Sequence, residues 1–231
     1  MNNDLNQILD IKNNDVVAII GSGGKTNLAY NLSKINQDKI TVLTTTTKMF
    51  IIKKDDINAS VNENYNKFIS PTKGINIFGN IYENKIQPLD NDKMQNLIKE
   101  SELFIYEADG SKMLPLKAWN DKEPVILENT TKCVGVLPLH ILNHKVSPEI
   151  IHRYDLFLDK FSVKEGQIID EALIVKICNE MFCKIDNKIE KFIFFNRTLD
   201  TINATKISKL LKKYKIFIGD LFKDKYIKIN F

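Results

Sequence analysis

Short unbroken apolar runs alternate along this chain with stretches in which apolar positions return every three or four residues. "VVAII" (16–20) is five consecutive apolar residues closed by glycine, the pattern of a strand buried on both faces. Leu28, Leu32 and Ile35 follow at helical spacing, with Ala29 beside them. "KITVLTTTT" (39–47) is rich in β-branched residues and reads as a second strand. "GINIFGNIYENKIQPL" (74–89) reads as two short strands around a Glu-Asn turn, an antiparallel insertion or sheet edge. "NDKMQNLIKES" predicts a helix, and "ELFIYEADGS" a buried strand that ends in two carboxylates and a glycine. "TKCVGVLP" predicts another strand. Ser147-Pro148-Glu149 carries a capping residue and a proline at the first helical position, which predicts a helix running to about Phe161. "DEALIVKICNEMF" and "NATKISKLLKKY" predict helices, "KFIFFN" and "KIFIGDL" strands. There is no internal repeat. Alternating strands and helices with apolar strand runs predict one α/β domain over 1–231, three layers deep, with a mostly parallel sheet and a small antiparallel insertion.

Composition narrows the function classes. With 231 residues, 43% hydrophobic and 27% charged, the chain has the make-up of a soluble globular protein. It shows no apolar run of membrane-spanning length, and "MNNDLNQILDIKNND" lacks the basic start and apolar centre of a signal peptide. A cytoplasmic protein with no membrane partner is expected. The net charge of +4 is small, and no basic stripe is interleaved with aromatics, which argues against nucleic acid as a partner. Cys133, Cys178 and Cys183 are odd in number and lack CxxC spacing, so they read as packing residues in a reducing compartment. His140 and His144 lie in "PLHILNHKVSP", broken by proline and without a carboxylate or cysteine beside them, a poor zinc site. Of 33 basic residues only Arg153 and Arg197 are arginines, the side chain suited to planar, bidentate recognition of phosphate or carboxylate.

The candidate chemistry begins after the first strand, in "GSGGKT". A phosphate-binding loop usually reads Gly, four residues, Gly-Lys-Ser/Thr; here Gly24-Lys25-Thr26 match and Ile19 stands where the first glycine would fall. A buried strand, a glycine turn and a helix still aim unpaired N–H groups and the positive end of the helix dipole at one point. Gly21, Ser22, Gly23 and Gly24 would wrap a phosphate, with Asn27 in the first helical turn. Lys25 would reach the β- and γ-phosphates, and Thr26 would hold Mg²⁺ through its hydroxyl. A variant phosphate-binding loop for a nucleoside triphosphate is therefore expected, with Mg²⁺ and ATP or GTP as cofactors.

Two more strand ends carry chemistry, because ligands in such sheets gather at the carboxyl ends of the strands. Glu107 and Asp109 close the run Leu103–Tyr106; the expectation gives Asp109 to Mg²⁺ and Glu107 to the metal's water shell or an attacking nucleophile. Thr44 to Thr47 end in Lys48, which would answer phosphate charge alongside Lys25; the threonines read equally as ordinary strand residues. Arg153 is expected to contact phosphate or an anionic partner. Asn196 stands at a strand end where a guanine-reading Asn-Lys-x-Asp would begin, but Asp200 falls one residue too far and position 199 is leucine, so ATP and GTP both stay open.

"GSGGKT", "VLTTTTKMF", "EADGSKMLPLKAW" with "EPVIL" (123–127), "VGVLPL" and the His152-Arg153 pair occur in the order found in YqeC-type proteins, and over roughly residues 15 to 200 the chain resembles that family. The resemblance implies a P-loop NTPase-like fold and an accessory role in maturing selenium-dependent molybdenum hydroxylases, with such a hydroxylase or a cofactor-biosynthesis enzyme as partner. Competing readings are a small-molecule kinase acting on a cofactor precursor and a non-catalytic binding module. Lys112 and Lys117 flank a segment that would fold over nucleotide, present a partner surface or simply lie on the surface.

Overall fold

The structure, a computed structural model, describes residues 4–51, 61–65 and 69–229. A short helix α1 (Leu5–Leu9) precedes strand β1 (Asp15–Gly21), every residue of which is buried. Helix α2 (Lys25–Ile35) and strand β2 (Ile40–Thr45) follow. A ribbon comes next, built from β3 (Met49–Phe50), β4 (Val61–Tyr65), β5 (Gly74–Tyr82) and β6 (Lys85–Gln87). After α3 (Asn91–Glu100) and β7 (Leu103–Glu107) the chain makes a two-residue strand β8 (Leu116–Lys117), then β9 (Lys132–Pro138) and β10 (Ile151–His152). Helices α4 (Tyr154–Phe161) and α5 (Glu171–Met181), strand β11 (Glu190–Asn196), helix α6 (Thr201–Ser208) and strands β12 (Lys215–Asp220) and β13 (Lys225–Ile229) complete it.

The strands form one large sheet in the order β13-β12-β11-β9-β1-β7-β2-β5-β6-β3, with β4 also paired to β5. From β12 to β5 the pairing is parallel; β13 runs antiparallel to β12, and β6 antiparallel to β5 and β3. This is the expected α/β fold, with the antiparallel insertion where the Glu83-Asn84 turn predicts it. Period-two alternation splits β1 between two cores: Val16, Ala18 and Ile20 pack on the face covered by α3 to α6, Val17 and Ile19 on the face covered by α1 and α2. Burial on both faces explains why β1 is uniformly apolar and sits mid-sheet.

One helix start differs from expectation. Ser147-Pro148-Glu149 forms a turn, and α4 begins only at Tyr154, behind Arg153 at φ 60°. Between them Ile151 and His152 pair in parallel with Leu116 and Lys117. Ile151 is 2% exposed, so burying it against β8 outweighs the local capping signal, which stabilises a helix start by only about 1 kcal/mol. Strands β3, β4, β8, β10 and β13 were not expected; three of them, β3, β8 and β10, are two-residue pairings that leave no periodicity to read.

Candidate functional site

The loop between β1 and α2 lies at the carboxyl end of the sheet's central strand. Gly23 has φ 74° and Gly24 φ 133°, conformations that side chains rarely adopt. A Cβ on Gly24 would stand 2.5 Å from Asn196 Nδ2, and one on Gly23 2.5 Å from a Pro138 ring carbon. The close packing of the loop against β9 and β11 thus requires glycine twice. Helix α2 has no side-chain cap. Among the described residues the N–H groups of Gly23, Gly24, Lys25, Thr26 and Asn27 find no acceptor, whereas Gly21 and Ser22 are spoken for by Asp109 Oδ2 and the Val136 carbonyl. Five consecutive free donors at a helix start are an anion cradle.

Thr26 donates its hydroxyl proton to Glu107 Oε1. Lys25 Nζ donates to the Gly21 carbonyl at 2.8 Å and lies 3.3 Å from Asp109 Oδ1 and 4.0 Å from Glu107 Oε2. Burial, with Asp109 beside it, holds the Glu107 carboxyl above its usual range despite the opposing pull of Lys25 and Thr26. Lys25, Thr26, Asn27, Glu107 and Lys48 line a cleft of about 840 Å³ above the loop, together with Tyr30, Phe50 and Phe222.

Asp109 does not line it. It is fully buried and accepts from Gly21 N at 2.9 Å and Trp119 Nε1 at 2.6 Å, with Lys117 Nζ at 3.2 Å. The strand ends at Glu107, and Asp109 turns beneath the glycine loop, where it fixes the main chain. Of the two carboxylates, Glu107 is therefore the one placed beside Thr26. A hydroxyl, a carboxylate and phosphate oxygens are the hard oxygen donors that Mg²⁺ takes. Among the described residues no group of three or more His, Cys, Asp or Glu side chains could hold a metal ion by themselves.

Arg153 answers to a carboxylate inside the chain. Its two terminal nitrogens reach Glu123 Oε2 and Oε1 at 2.7 and 2.8 Å, and one also donates to the Ala118 carbonyl at 3.0 Å. Lys117, fully buried instead of lying on the surface, donates to Glu123 at 2.7 Å and to the Gly110 carbonyl at 2.5 Å. Burial would raise the Glu123 pKa, but Arg153 and Lys117 pull it down to about 2. Lys25, Asp109, Lys117, Glu123 and Arg153 thus form one chain of alternating charge from the loop to the start of α4. Sequence reasoning missed Glu123 and Trp119, which carry no local signal because their partners lie 30 and 10 residues away.

Asn196 stands where expected but faces the loop: its Nδ2 donates to the Gly23 carbonyl at 2.7 Å, and its Oδ1 accepts from Arg197 N at 2.8 Å. Asp200 caps α6, accepting from Ile202 N, Asn203 N and Asn203 Nδ2. Both are engaged within the chain. Ser22 donates to the Pro115 carbonyl at 2.7 Å, tying residues 110–115 over the loop. Thr44, Thr45 and Thr46 give their hydroxyls to main-chain carbonyls. Cys133 and Cys178 are buried and Cys183 is exposed; none is in a disulfide. No helix among the described residues is long and apolar enough to cross a membrane.

No solved structure matches the chain. An Escherichia coli K12 protein named "Uncharacterized protein YqeC" is 26% identical to it over 227 residues, an alignment covering 89% of this chain and 87% of that one. The family model described as "YqeC protein" matches residues 17–155, from inside β1 through the glycine loop, the Glu107–Asp109 strand end and the Glu123–Arg153 pair to the start of α4. The chain belongs to the YqeC family.

Proposed function

We propose that this protein binds a Mg²⁺-nucleoside triphosphate at residues 21–27 and hydrolyses it in the course of maturing selenium-dependent molybdenum hydroxylases. The observation that carries the nucleotide reading is the row of unpartnered N–H groups from Gly23 to Asn27, with Lys25 and the Thr26–Glu107 pair at its mouth. That arrangement supplies what a triphosphate needs: main-chain donors for its oxygens, one cation, and an oxygen pair for the metal. Mg²⁺ bound there would neutralise charge on the terminal phosphates; Thr26 and Glu107 would hold it. Lys25 would exchange its present contact with the Gly21 carbonyl for phosphate oxygens. Asp109, Trp119 and Lys117 act as positioning residues beneath the loop. The P-loop NTPase-like character of the fold rests on the same geometry, and the client on the family resemblance, which also makes the cytoplasm the expected site of action.

Calorimetry with ATP and GTP, with and without Mg²⁺, tests the reading. Lys25→Ala is expected to weaken binding at least a hundredfold while the fold survives, since Asp109 keeps three other partners. Equal affinity in both forms would remove the nucleotide site. Phosphate release tests hydrolysis, and the selenium content and activity of hydroxylase from cells lacking the protein test the client.

A further inference from the structure

The cleft continues past the place where a terminal phosphate would sit. The Thr26–Glu107 bond and the Lys25–Asp109 contact turn the metal and terminal-phosphate end of the loop toward β7, and Gly24 abuts Asn196 and Leu221 on the opposite side. In the sheet β2 lies beyond β7, and the ribbon of β5, β6 and β3 beyond that. Lys48, Phe50 and Lys85 line the cleft from this far wall.

Two of these side chains share a face for a simple reason. Phe50 on β3 pairs directly with Lys85 on β6, so these two project to the same side, and the exposed Lys48, just before β3, lines the same cleft with Thr47. Met49, between Lys48 and Phe50, points the other way and is 1% exposed. Lys85 Nζ lies 5.0 Å from the Phe50 ring centroid, and the ring itself is 43% exposed. Among the described residues neither Lys48 nor Lys85 has a carboxylate partner, and the adjacent Thr47 hydroxyl is buried without a hydrogen-bond partner. The triphosphate is already answered by Lys25, the free N–H groups and the start of α2. Two further cations, an unsatisfied hydroxyl and an open aromatic face are therefore available to something else.

We infer that this wall is a second ligand site, for a small organic anion whose phosphate or carboxylate meets Lys48, Lys85 and Thr47 and whose planar or apolar body lies on Phe50. Its position beside the terminal phosphate rests on the nucleotide reading above; its chemistry does not.

The test uses phenyl phosphate, benzoate and benzyl alcohol as probes, followed by ligand-observed NMR on the full chain saturated with Mg²⁺ and a non-hydrolysable ATP analogue. Phenyl phosphate is expected to bind, and benzyl alcohol at least tenfold more weakly. Lys48→Gln and Lys85→Gln should each weaken phenyl phosphate at least tenfold, and Lys85→Gln should change affinity for the ATP analogue less than twofold. Benzoate binding equal to that of phenyl phosphate assigns a single negative charge; no benzoate binding assigns a dianionic phosphate; either result keeps the site. Failure of phenyl phosphate to bind, its displacement by the nucleotide, or a tenfold loss of nucleotide affinity in Lys85→Gln would overturn it, the last because Lys85 would then be a nucleotide contact. Lys25→Ala separates the two readings. If wild type and Lys25→Ala bind nucleotide equally, the nucleotide site falls, while the dependence of phenyl phosphate on Lys48 and Lys85 still decides the second site.

Discussion

Replacing Arg153 by alanine should destabilise the protein without touching nucleotide affinity. Its guanidinium is spent on Glu123 and the Ala118 carbonyl and does not line the cleft. The Glu123 carboxyl is held at about 2 against an ordinary value of 4.5. A shift of about 2.5 units corresponds to about 3.4 kcal/mol at 1.36 kcal/mol per unit. That figure is a ceiling, because Lys117 shares it and solvent reaching the pair from the cleft screens it. About 1–2 kcal/mol belongs to Arg153, which at about 2–4 °C per kcal/mol for a chain of this size lowers the melting temperature by about 2–8 °C. Arg153→Lys keeps the charge, loses the fork and should cost about half as much. The pH dependence has a definite sign: a depressed carboxylate pKa stabilises the fold above about 4.5, and that contribution disappears as the pH falls toward 2. Thermal melts of wild type and Glu123→Gln should therefore differ at pH 7 and converge as the pH drops through this window. A melting temperature for Arg153→Ala within 1 °C of wild type, or a pH-independent gap for Glu123→Gln, would refute the reasoning. A hundredfold loss of nucleotide affinity in Arg153→Ala would restore the phosphate contact that the sequence suggests.

Thr26→Val removes the hydroxyl bonded to Glu107 and should abolish the Mg²⁺ dependence of nucleotide binding; calorimetry showing an unchanged Mg²⁺ response would exclude Thr26 from the metal. Gly24→Ala forces a Cβ to 2.5 Å from Asn196 Nδ2 at φ 133°, so it should lose about 1–3 kcal/mol in urea denaturation, and a neutral result would mean that the loop relaxes freely. His152 lines the cleft, and burial, reinforced by the charges of Arg153, Lys117 and Lys112, lowers its pKa to about 4. Its imidazole should stay neutral through pH 6 in an NMR titration, and a midpoint above 6 would contradict the described environment.

What the sequence made legible was local. The run Val16–Ile20, the glycines after it and the helical spacing of Leu28 and Leu32 specify strand, loop and helix within twenty residues, and the structure repeats them. The carboxyl-terminal strand ends were also legible, since Glu107 and Asn196 each close a buried run. The direction in which side chains turn once a strand has stopped was not. Asp109 and Asn196 both curl toward the glycine loop, and no spacing rule distinguishes that from facing a ligand. The helix expected from Pro148 failed because Ile151 and His152 find strand partners at Leu116 and Lys117, a distant pairing that a capping motif cannot register. The arginine fork of Arg153 suggests recognition of phosphate or an anionic partner, whereas in the structure it is taken up by Glu123, thirty residues earlier.

The position of β1 also governs when the loop comes into being. Its partners follow much later in the chain: the Gly21 N–H bond to Asp109 spans 88 residues, and that from Val16 N to the Thr131 hydroxyl 115. Contacts so remote in sequence must close long loops before they return any stability, which slows folding and favours late assembly. A nascent chain stopped before residue 132 would carry the whole "GSGGKT" segment and still lack β9, the strand against which Gly21 and Gly23 pack. On the nucleotide reading proposed above, competence to hold a phosphate would therefore be acquired only once β9 has been synthesised, and a growing chain would not capture nucleotide ahead of its own fold.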